Sequence, residues 1–316
     1  MKKENKNTLQ FIDLFAGIGG FRIALESVGA KCVFSSEIDL SASKTYMANF
    51  HEQPKGDITK INSKEIPPHD ILCAGFPCQP FSIGGYRKGF DDTRGTMFFE
   101  IERILTDKKP KTFILENVVG ILSHNEKNTV NTIRKKLKNI GYDIFEKILD
   151  AKDFGLPQNR RRWFCVGFRK DLAISTFEFP SGEELTKTVY DFLEKDVTGH
   201  EITEIATKHI NSHYQKFKKT SKSMTIASEV RPSRCSMRDD GLVPCLTAKM
   251  GTGGNNVPII VEQGRKLTVK ECLQLMGFKQ DFQMIENKHQ SYKQIGNSVA
   301  VPIIASIASR VIKKIT

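Results

Sequence analysis

The chain has 316 residues, of which 39% are hydrophobic, and its 48 Lys and Arg against 36 Asp and Glu give a formal net charge of +12. A chain of this length can fold into one large domain and a smaller one, and the positive charge favours a polyanionic partner without identifying it. The seven cysteines include no C-x-x-C pair, which argues against a zinc cluster or a disulfide framework and favours a reducing cytoplasm.

The N-terminal stretch predicts a strand, a glycine-rich loop and a helix. Its basic first residues lead directly into the strand 11–15, so we predict no signal peptide, and no apolar run approaches the roughly 18–20 residues of a membrane span. The loop contains Gly17, Gly19 and Gly20. Such a loop before a helix (21–28) brings backbone N–H groups close to a ligand, although a tight turn without a ligand fits the same residues. Arg22 replaces the third glycine of the dinucleotide-binding fingerprint, which excludes that motif.

Acidic residues follow the next two predicted strands. Glu37 ends the strand 31–35, a position where doubly wound sheets place an acid that accepts hydrogen bonds from ribose hydroxyls; a solvated surface acid is the alternative. After a helix over 40–49, Asp57 and Ile58 stand at the end of a third predicted strand. There they would bind the amine and the face of a purine, unless Asp57 simply caps a turn.

The strongest chemical signal of the chain is a thiol on a proline-rich loop. The apolar run 71–74 predicts a buried strand, and Cys78 follows it between Pro77 and Gln79. Prolines on both sides of the cysteine prevent the segment from continuing as a strand or a helix. Open α/β sheets place their chemistry on such turns, beyond the carboxyl end of a central strand. An inert core cysteine is the alternative, but it would need neither the prolines nor the glycines.

A basic loop and a second strand-end residue follow. Residues 84–96 predict a flexible loop beside the site, or else a plain surface loop. The cations of that loop are Arg87, Lys88 and Arg94. After a helix over 97–105, the predicted strand 112–115 ends in Glu116. An acid on the same sheet edge as Cys78 is a candidate for proton transfer, although an acid there also caps a following helix.

Three arginines open the next apolar strand. They follow a basic helix over 130–140 and a strand over 144–149. Alternation places Arg160 and Arg162 on one face and Arg161 on the other. The pair would bind a phosphate or the carbonyl of a base, unless the arginines form a solvated basic edge.

The alternation of strands and helices stops in the polar segment 181–264. Within it, residues 208–249 carry nine Lys and Arg against three acids, and 250–258 is rich in Gly and Asn. Amide side chains bind base edges while cations hold phosphates, so this segment is a candidate for contact with nucleic acid; a mobile linker is the alternative. His209 and His213 stand four residues apart without an evident third ligand, and we therefore predict surface histidines rather than a metal site.

The C-terminal part returns to regular structure. Residues 265–278 predict a helix capped by Thr268 and Glu271, and 294–315 predict a turn and an apolar helix that packs back on the main sheet. This organisation gives a discontinuous large domain, 1–180 plus 294–316, an inserted domain, 181–264, and a connecting segment, 265–293.

These motifs, in this order and spacing, resemble the DNA (cytosine-5) methyltransferase family, especially its compact bacterial restriction–modification members. The matching segments are FIDLFAGIGGF, GFPCQPFS, ENV, QNRRR, RKLTVKECLQLMGF and QIGNSV. The resemblance implies an α/β fold with a doubly wound, Rossmann-like sheet that binds S-adenosylmethionine. It also implies that 181–264 is a smaller target-recognition domain, mostly irregular or β, that reads DNA.

The resemblance also implies roles for individual residues. Cys78 would attack a cytosine flipped out of the duplex, Glu116 would be the acid at that base, and Arg160 and Arg162 would lie beside it. The residues implied for S-adenosylmethionine are Asp13, Phe15, Gly17, Ile18, Gly19, Gly20, Glu37, Ile38, Asp57, Ile58, Gly75, Pro77, Met97, Asn297 and Ser298. The residues implied for DNA are Gln79, Ser82, Arg87, Lys88, Arg94, Arg231, Arg234, Arg238, Lys249, Gly253, Gly254 and Asn255.

The sequence departs from the family pattern in two places. The family often has a tryptophan after the ribose-binding acid, where this chain has Ile38, and it commonly has Thr-Leu where Cys245-Leu246 stands. Ile38 keeps an apolar face for adenine, so we expect cofactor binding to persist with altered packing.

The expected partners follow from the same resemblance. We expect S-adenosylmethionine without a metal, double-stranded DNA as substrate, no membrane association, a monomer in the bacterial cytoplasm, and a companion restriction endonuclease. An RNA cytosine-5 methyltransferase is the closest alternative, although the basic insert favours DNA. The intact Cys78 and Glu116 argue against a silent DNA-binding protein. A thiol hydrolase is disfavoured because no histidine stands in a motif as the base.

Overall fold

A computed structural model describes residues 8–77, 97–221 and 223–316. Its main sheet has six strands in the order β2-β1-β3-β4-β6-β5. Their bounds are β1 Gln10–Leu14, β2 Lys31–Ser36, β3 Ile71–Gly75, β4 Thr112–Val118, β5 Tyr142–Asp150 and β6 Arg161–Arg169. The first four strands are parallel, and β6 is antiparallel to both of its neighbours. This arrangement agrees with the expected doubly wound α/β sheet.

Helices cover both faces of the main sheet, which is why its central strands are almost continuously apolar. The helices of the described chain are α1 Gly20–Ser27, α2 Leu40–Phe50, α3 Met97–Lys108, α4 Asn128–Asn139, α5 Glu204–Tyr214, α6 Val269–Gln274, α7 Lys288–Asn297 and α8 Val301–Ile315. Side chains of α1 and α8 join one buried cluster, and side chains of α3 and α4 join the other. The terminal helix therefore packs back on the main sheet, as the sequence predicts.

The C-terminal helices correct one sequence-based statement. The stretch Lys288–Ile315 is long and apolar enough to span a membrane, although the sequence was expected to contain no such run. Most of its apolar window, 61%, is buried inside the protein, and Ser298 interrupts the helix with an extended backbone. Packing against the main sheet accounts for this apolar character.

A smaller antiparallel sheet lies within and just beyond the inserted segment. Its strands are β7 Ile226–Ser228, β8 Ser236–Arg238, β9 Ile259–Ile260 and β10 Arg265–Lys266, in the order β10-β9-β7-β8. The rest of 181–264 is irregular apart from α5 and short 3₁₀ turns, as expected from its composition. The small sheet also includes two residues that the sequence assigned to the connecting segment, and the exact domain boundaries stay a prediction.

Two further boundaries differ from the expectation. β4 continues to Val118, so Glu116 lies inside a strand instead of after it. Residues 55–58 form no third strand: Lys55 makes one isolated bridge, and Asp57 caps the 3₁₀ turn Ile58–Lys60. Asp57 accepts hydrogen bonds from the backbone and the hydroxyl of Thr59 at 3.0 and 2.7 Å, which is the turn-capping alternative.

Candidate active site

The glycine loop after β1 is held by the acid at the end of β2. The Gly17 N–H donates to Glu37 Oε2 at 2.7 Å, and the Asp39 N–H donates to Glu37 Oε1 at 2.7 Å. Burial raises the pKa of Glu37, while these N–H donors oppose that rise. A carboxylate has about four acceptor positions, so Glu37 retains capacity for the hydroxyls of a ligand.

The glycine loop also contacts a turn near the C-terminus. A side chain at Gly20 would come within 2.8 Å of Val299 Cγ2 and 2.9 Å of Ser298 Oγ. Ser298 is buried there, whereas Asn297 is exposed. The structure therefore brings together two parts of the predicted cofactor set that lie nearly 280 residues apart in the chain.

The other predicted cofactor residues surround this loop or lie on nearby elements. Asp13 and Ile18 are buried, Phe15 has a positive φ of 57°, and Gly75 ends β3. Both carboxylate oxygens of Asp13 lack a hydrogen-bond partner within the described chain, and burial raises its pKa. Pro77 is exposed, and Met97 opens α3 and is half-buried.

The predicted purine-binding residues are placed differently from one another. Ile38 is 67% exposed at the end of β2, while Ile58 is buried. Backbone bonds join Lys55 to Ser35 and Glu37 at 2.8 Å each, so the segment that leads to Asp57 runs along the end of β2. Ile38 thus presents an exposed apolar side chain next to the half-buried Glu37 carboxylate.

Glu116 is a buried acid that forms an ion pair next to the end of β3. It pairs in register with Gly75 and is 8% exposed. The Arg162 Nε lies 3.1 Å from Glu116 Oε1. Burial raises the pKa of Glu116, and the positive charges of Arg162 and Arg160 oppose that rise.

The neighbouring Asn117 fixes the segment that leads to the predicted nucleophile. Its Nδ2 donates to the carbonyl oxygen of Phe76 at 2.9 Å. Cys78 itself lies outside the described residues, together with Gln79, Ser82, Arg87, Lys88 and Arg94. The described chain thus reaches Pro77, two residues beyond the Gly75 that pairs with Glu116.

Arg160 and Arg162 share a face, as alternation predicts, but they make different contacts. Arg160 is buried, and its guanidinium donates to the carbonyl oxygens of Leu246 at 2.6 Å, Gly296 at 3.2 Å and Ser298. Burial lowers the pKa of Arg160 to about 10, and the charge of Arg162 contributes to that decrease. Arg160 therefore connects three distant segments, whereas Arg162 contacts the acid.

Cys245, which stands where the family commonly has threonine, joins both arginines. Its Sγ accepts from Arg160 Nη1 at 3.7 Å and from Arg162 Nη2 at 3.5 Å. The thiol thus connects the recognition segment to the arginine that contacts Glu116.

Gln158 makes structural hydrogen bonds that its place in the sequence did not predict. Its Nε2 donates to the Leu275 carbonyl at 2.9 Å, and its Oε1 accepts from the Leu246 N–H at 3.0 Å. The only sequence signal for this role was its place in the quoted QNRRR motif.

Of the predicted DNA-reading residues of the insert, Arg238 ends β8 and the others lie on two loops that touch. Arg231, in the loop between β7 and β8, donates to Asn256 Oδ1 at 2.9 Å. Gly253 and Gly254 lie on the neighbouring loop with the half-buried Asn255. Arg234 and Arg238 pair with Glu229 and Asp240, and Lys249 is exposed. Their role in reading DNA stays a prediction.

The two histidines of α5 show no ligand cluster. His213 Nε2 lies 3.1 Å from the Pro232 carbonyl oxygen. Over residues 8–77, 97–221 and 223–316, no group of three His, Cys, Asp or Glu side chains is arranged to hold a metal ion.

The comparisons with known proteins agree with this geometry. Residues 9–313 match the family model described as C-5 cytosine-specific DNA methylase. The chain is 41% identical to the type II methyltransferase M.HhaI of Haemophilus parahaemolyticus, over 98% of this chain and 95% of that protein. It is 43% identical to the type II methyltransferase M.HaeII of Haemophilus aegyptius, over 96% and 93%.

Solved structures resemble the whole fold at lower sequence identity. The Dnmt2 methyltransferase of S. pombe matches with a TM-score of 0.74 at 22% identity, over 98% of this chain and 99% of that one. The methyltransferase EhMeth of Entamoeba histolytica matches with a TM-score of 0.76 at 22% identity, over 98% and 100%. At this identity the likeness concerns the fold alone.

Proposed function

The chain belongs to the C-5 cytosine-specific DNA methylase family and is a site-specific DNA cytosine-5 methyltransferase, and from this premise we propose that Glu116 and Arg162 bind the target base. The observation that supports this proposal is a buried carboxylate 3.1 Å from a guanidinium, at the sheet edge where β3 leads towards Cys78. Burial raises the pKa of Glu116, which favours the protonated form that the chemistry requires.

The proposed reaction activates a carbon that is a weak nucleophile. The Cys78 thiolate adds to carbon 6 of cytosine while Glu116 donates a proton to N3, and carbon 5 becomes nucleophilic. Carbon 5 takes the methyl group and then loses its proton to water. β-Elimination releases the thiolate, and N3 returns its proton to the Glu116 carboxylate. A thiol suits both steps because it is a good nucleophile and a good leaving group.

Methylation by this family depends on S-adenosylmethionine, which supplies the methyl group. We propose that Glu37 binds its ribose, that Ile38 and Ile58 contact its adenine, and that the glycine loop and Ser298 complete the site. The fixed Glu37 carboxylate, the close approach at Gly20 and the exposed Ile38 support this assignment. We propose that the reaction needs no metal ion.

The catalytic groups cannot attack a cytosine that is stacked inside a duplex, so we propose that the enzyme flips it, at a cost of a few kcal/mol. The touching loops of the small sheet would read the surrounding bases. We also propose that the protein works as a monomer in the bacterial cytoplasm and has a companion endonuclease with the same target. The similarity to type II methyltransferases supports the companion endonuclease.

One experiment tests the substrate and the target sequence together. The enzyme is incubated with labelled S-adenosylmethionine and a random duplex library, and the product is sequenced after bisulfite treatment. We expect methylated cytosines within one short motif. A parallel reaction contains tRNA in place of the duplex library. Label in tRNA but not in DNA would show that the substrate is RNA, and no label in either would contradict the proposed activity.

A further inference from the structure

A cavity of about 480 Å³ opens beside the Glu116–Arg162 pair. Its lining residues are Val119, Asp150, Lys152, Asn159, Arg161, Arg162 and Cys245. Val119 directly follows β4, Arg161 opens β6, and Cys245 belongs to the inserted segment. The cavity therefore lies where the main sheet meets the recognition segment, next to the proposed base site.

Two cationic side chains that line this cavity have no bonding partner within the described chain. The side chains of Lys152 and Arg161 are exposed and form no hydrogen bond or ion pair with the parts of the chain that the structure describes. Arg162, the third cation, is already paired with Glu116. The single acid, Asp150, accepts the Arg160 N–H at 2.8 Å. The lining thus carries an excess of positive charge.

We propose that this cavity holds a backbone phosphate of the DNA duplex, bound by Lys152 and Arg161, beside the flipped cytosine; this inference rests on the proposed function. The Asn159 amide, which lines the same space, supplies a neutral donor. A planar guanidinium and a flexible ammonium are the side chains that bind phosphate best.

The position of this phosphate site matters for the reaction. Phosphate contacts fix the register of a protein on DNA and carry no sequence information. A contact next to Arg162 would anchor the backbone where the base leaves the stack. Alternation places Arg161 on the face opposite Arg160 and Arg162, so Arg161 does not contact the base. Phosphate binding would be its role.

The salt dependence of DNA binding tests this proposal. We compare the parent with the K152Q/R161Q variant on duplexes with and without the target sequence, with a nonreactive analogue of S-adenosylmethionine present. The slope of log Kd against log salt should fall by about 0.9 for one lost phosphate contact, which weakens binding roughly fivefold near 0.15 M salt. The loss should be equal on both duplexes, because a phosphate contact does not distinguish sequences.

A charge-matched variant separates a site from a general charge effect. Arg310 and Lys313 are exposed in a different cavity, between α8 and residues 176–178, and R310Q/K313Q removes the same two charges. We expect this control to keep the parental slope. An unchanged slope in K152Q/R161Q, or an equal decrease in the control, would overturn the proposal. A decrease seen with tRNA but not with DNA would overturn the assignment to DNA.

Thiol protection gives a second readout that does not depend on the salt titration. The tryptic peptide 239–249 contains Cys245 and no other cysteine, so its alkylation by iodoacetamide is measured by mass spectrometry. Duplex DNA should slow this alkylation in the parent and protect less in K152Q/R161Q at equal DNA concentration. Equal protection in both would contradict a phosphate in this cavity. A parent that binds DNA but never methylates it would refute the proposed function while leaving this test intact.

Discussion

At the scale of single residues, burial acts in opposite directions on two neighbouring groups. It raises the pKa of the Glu116 carboxyl and lowers the pKa of the Arg160 guanidinium to about 10. Both shifts have one cause, since a low-dielectric site disfavours the charged form. For Glu116 the shift favours proton donation. Arg160 instead uses its buried donors on backbone carbonyls, which is a positioning role.

Replacement of the Cys78 thiol tests the covalent step. Cys78→Ser should abolish methyl transfer and keep binding of DNA and S-adenosylmethionine, because a hydroxyl is a much poorer nucleophile near neutral pH. Transfer is measured with labelled cofactor, and binding by gel shift and calorimetry. Full turnover of the variant would contradict the covalent scheme.

The protonation of Glu116 sets the pH dependence of catalysis. The acid is active when protonated, so kcat should fall as pH rises through its raised pKa. Arg162→Gln removes a charge that lowers this pKa, and the alkaline limb of the kcat profile should move to higher pH while kcat itself falls. Glu116→Gln should lose about 10²–10⁴-fold in kcat and retain no such limb. An alkaline limb unmoved by Arg162→Gln would refute this assignment.

At the scale of elements, the proposed cofactor site depends on two turns that touch. The loop before α1 reaches the turn between α7 and α8 because Gly20 has no side chain. Strand and helix patterns place each turn correctly, but neither pattern reports that the two turns meet.

A pair of glycine-to-alanine substitutions tests the contact at Gly20. Gly20→Ala puts a methyl group within 3 Å of Val299 and Ser298, so binding of S-adenosylmethionine should weaken at least tenfold. Gly120→Ala is the control, because its methyl group would meet only Val118 at 4.0 Å. Dissociation constants come from calorimetry. Equal affinities of the two variants would show that the close approach does not shape the cofactor site.

At the scale of the whole molecule, a few buried polar groups join the inserted segment to the main sheet. Arg160 reaches Leu246 in the insert and Ser298 near the C-terminus, and Gln158 reaches Leu246 and Leu275. A side chain at Gly296 would overlap the backbone of Thr247. We expect these contacts to make the inserted segment and the main sheet unfold together.

Removal of the Arg160 guanidinium should break this coupling. Arg160→Met leaves three carbonyl oxygens without their donor, at about 1–3 kcal/mol for each buried group that stays unsatisfied. The single tryptophan, Trp163, is buried in the main sheet, so its fluorescence reports that part, while proteolysis within 181–264 reports the insert. In urea the two transitions should coincide for the parent and separate for the variant. Coincident transitions in both would contradict the coupling.

The amino-acid sequence alone predicted the sheet class, the glycine loop, the capped helix at Thr268 and the order of the family motifs. It did so because hydrophobic alternation and turn residues are local signals. It predicted a strand that stops before Glu116, whereas β4 continues to Val118, because strand length depends on pairing partners that a single sequence does not display. It left open whether Asp57 stands at a strand end or caps a turn, and Asp57 caps a turn.

Which distant groups meet depends on the tertiary structure. Four parts of the chain meet around the arginines. They contribute the Glu116–Arg162 pair, the three carbonyls on Arg160, the thiol of Cys245, and the cations Lys152 and Arg161, which have no partner among the described residues. Residue types indicated that these side chains were polar and reactive. Their partners, and with them their burial and their protonation, are set by packing between segments that no local pattern encodes.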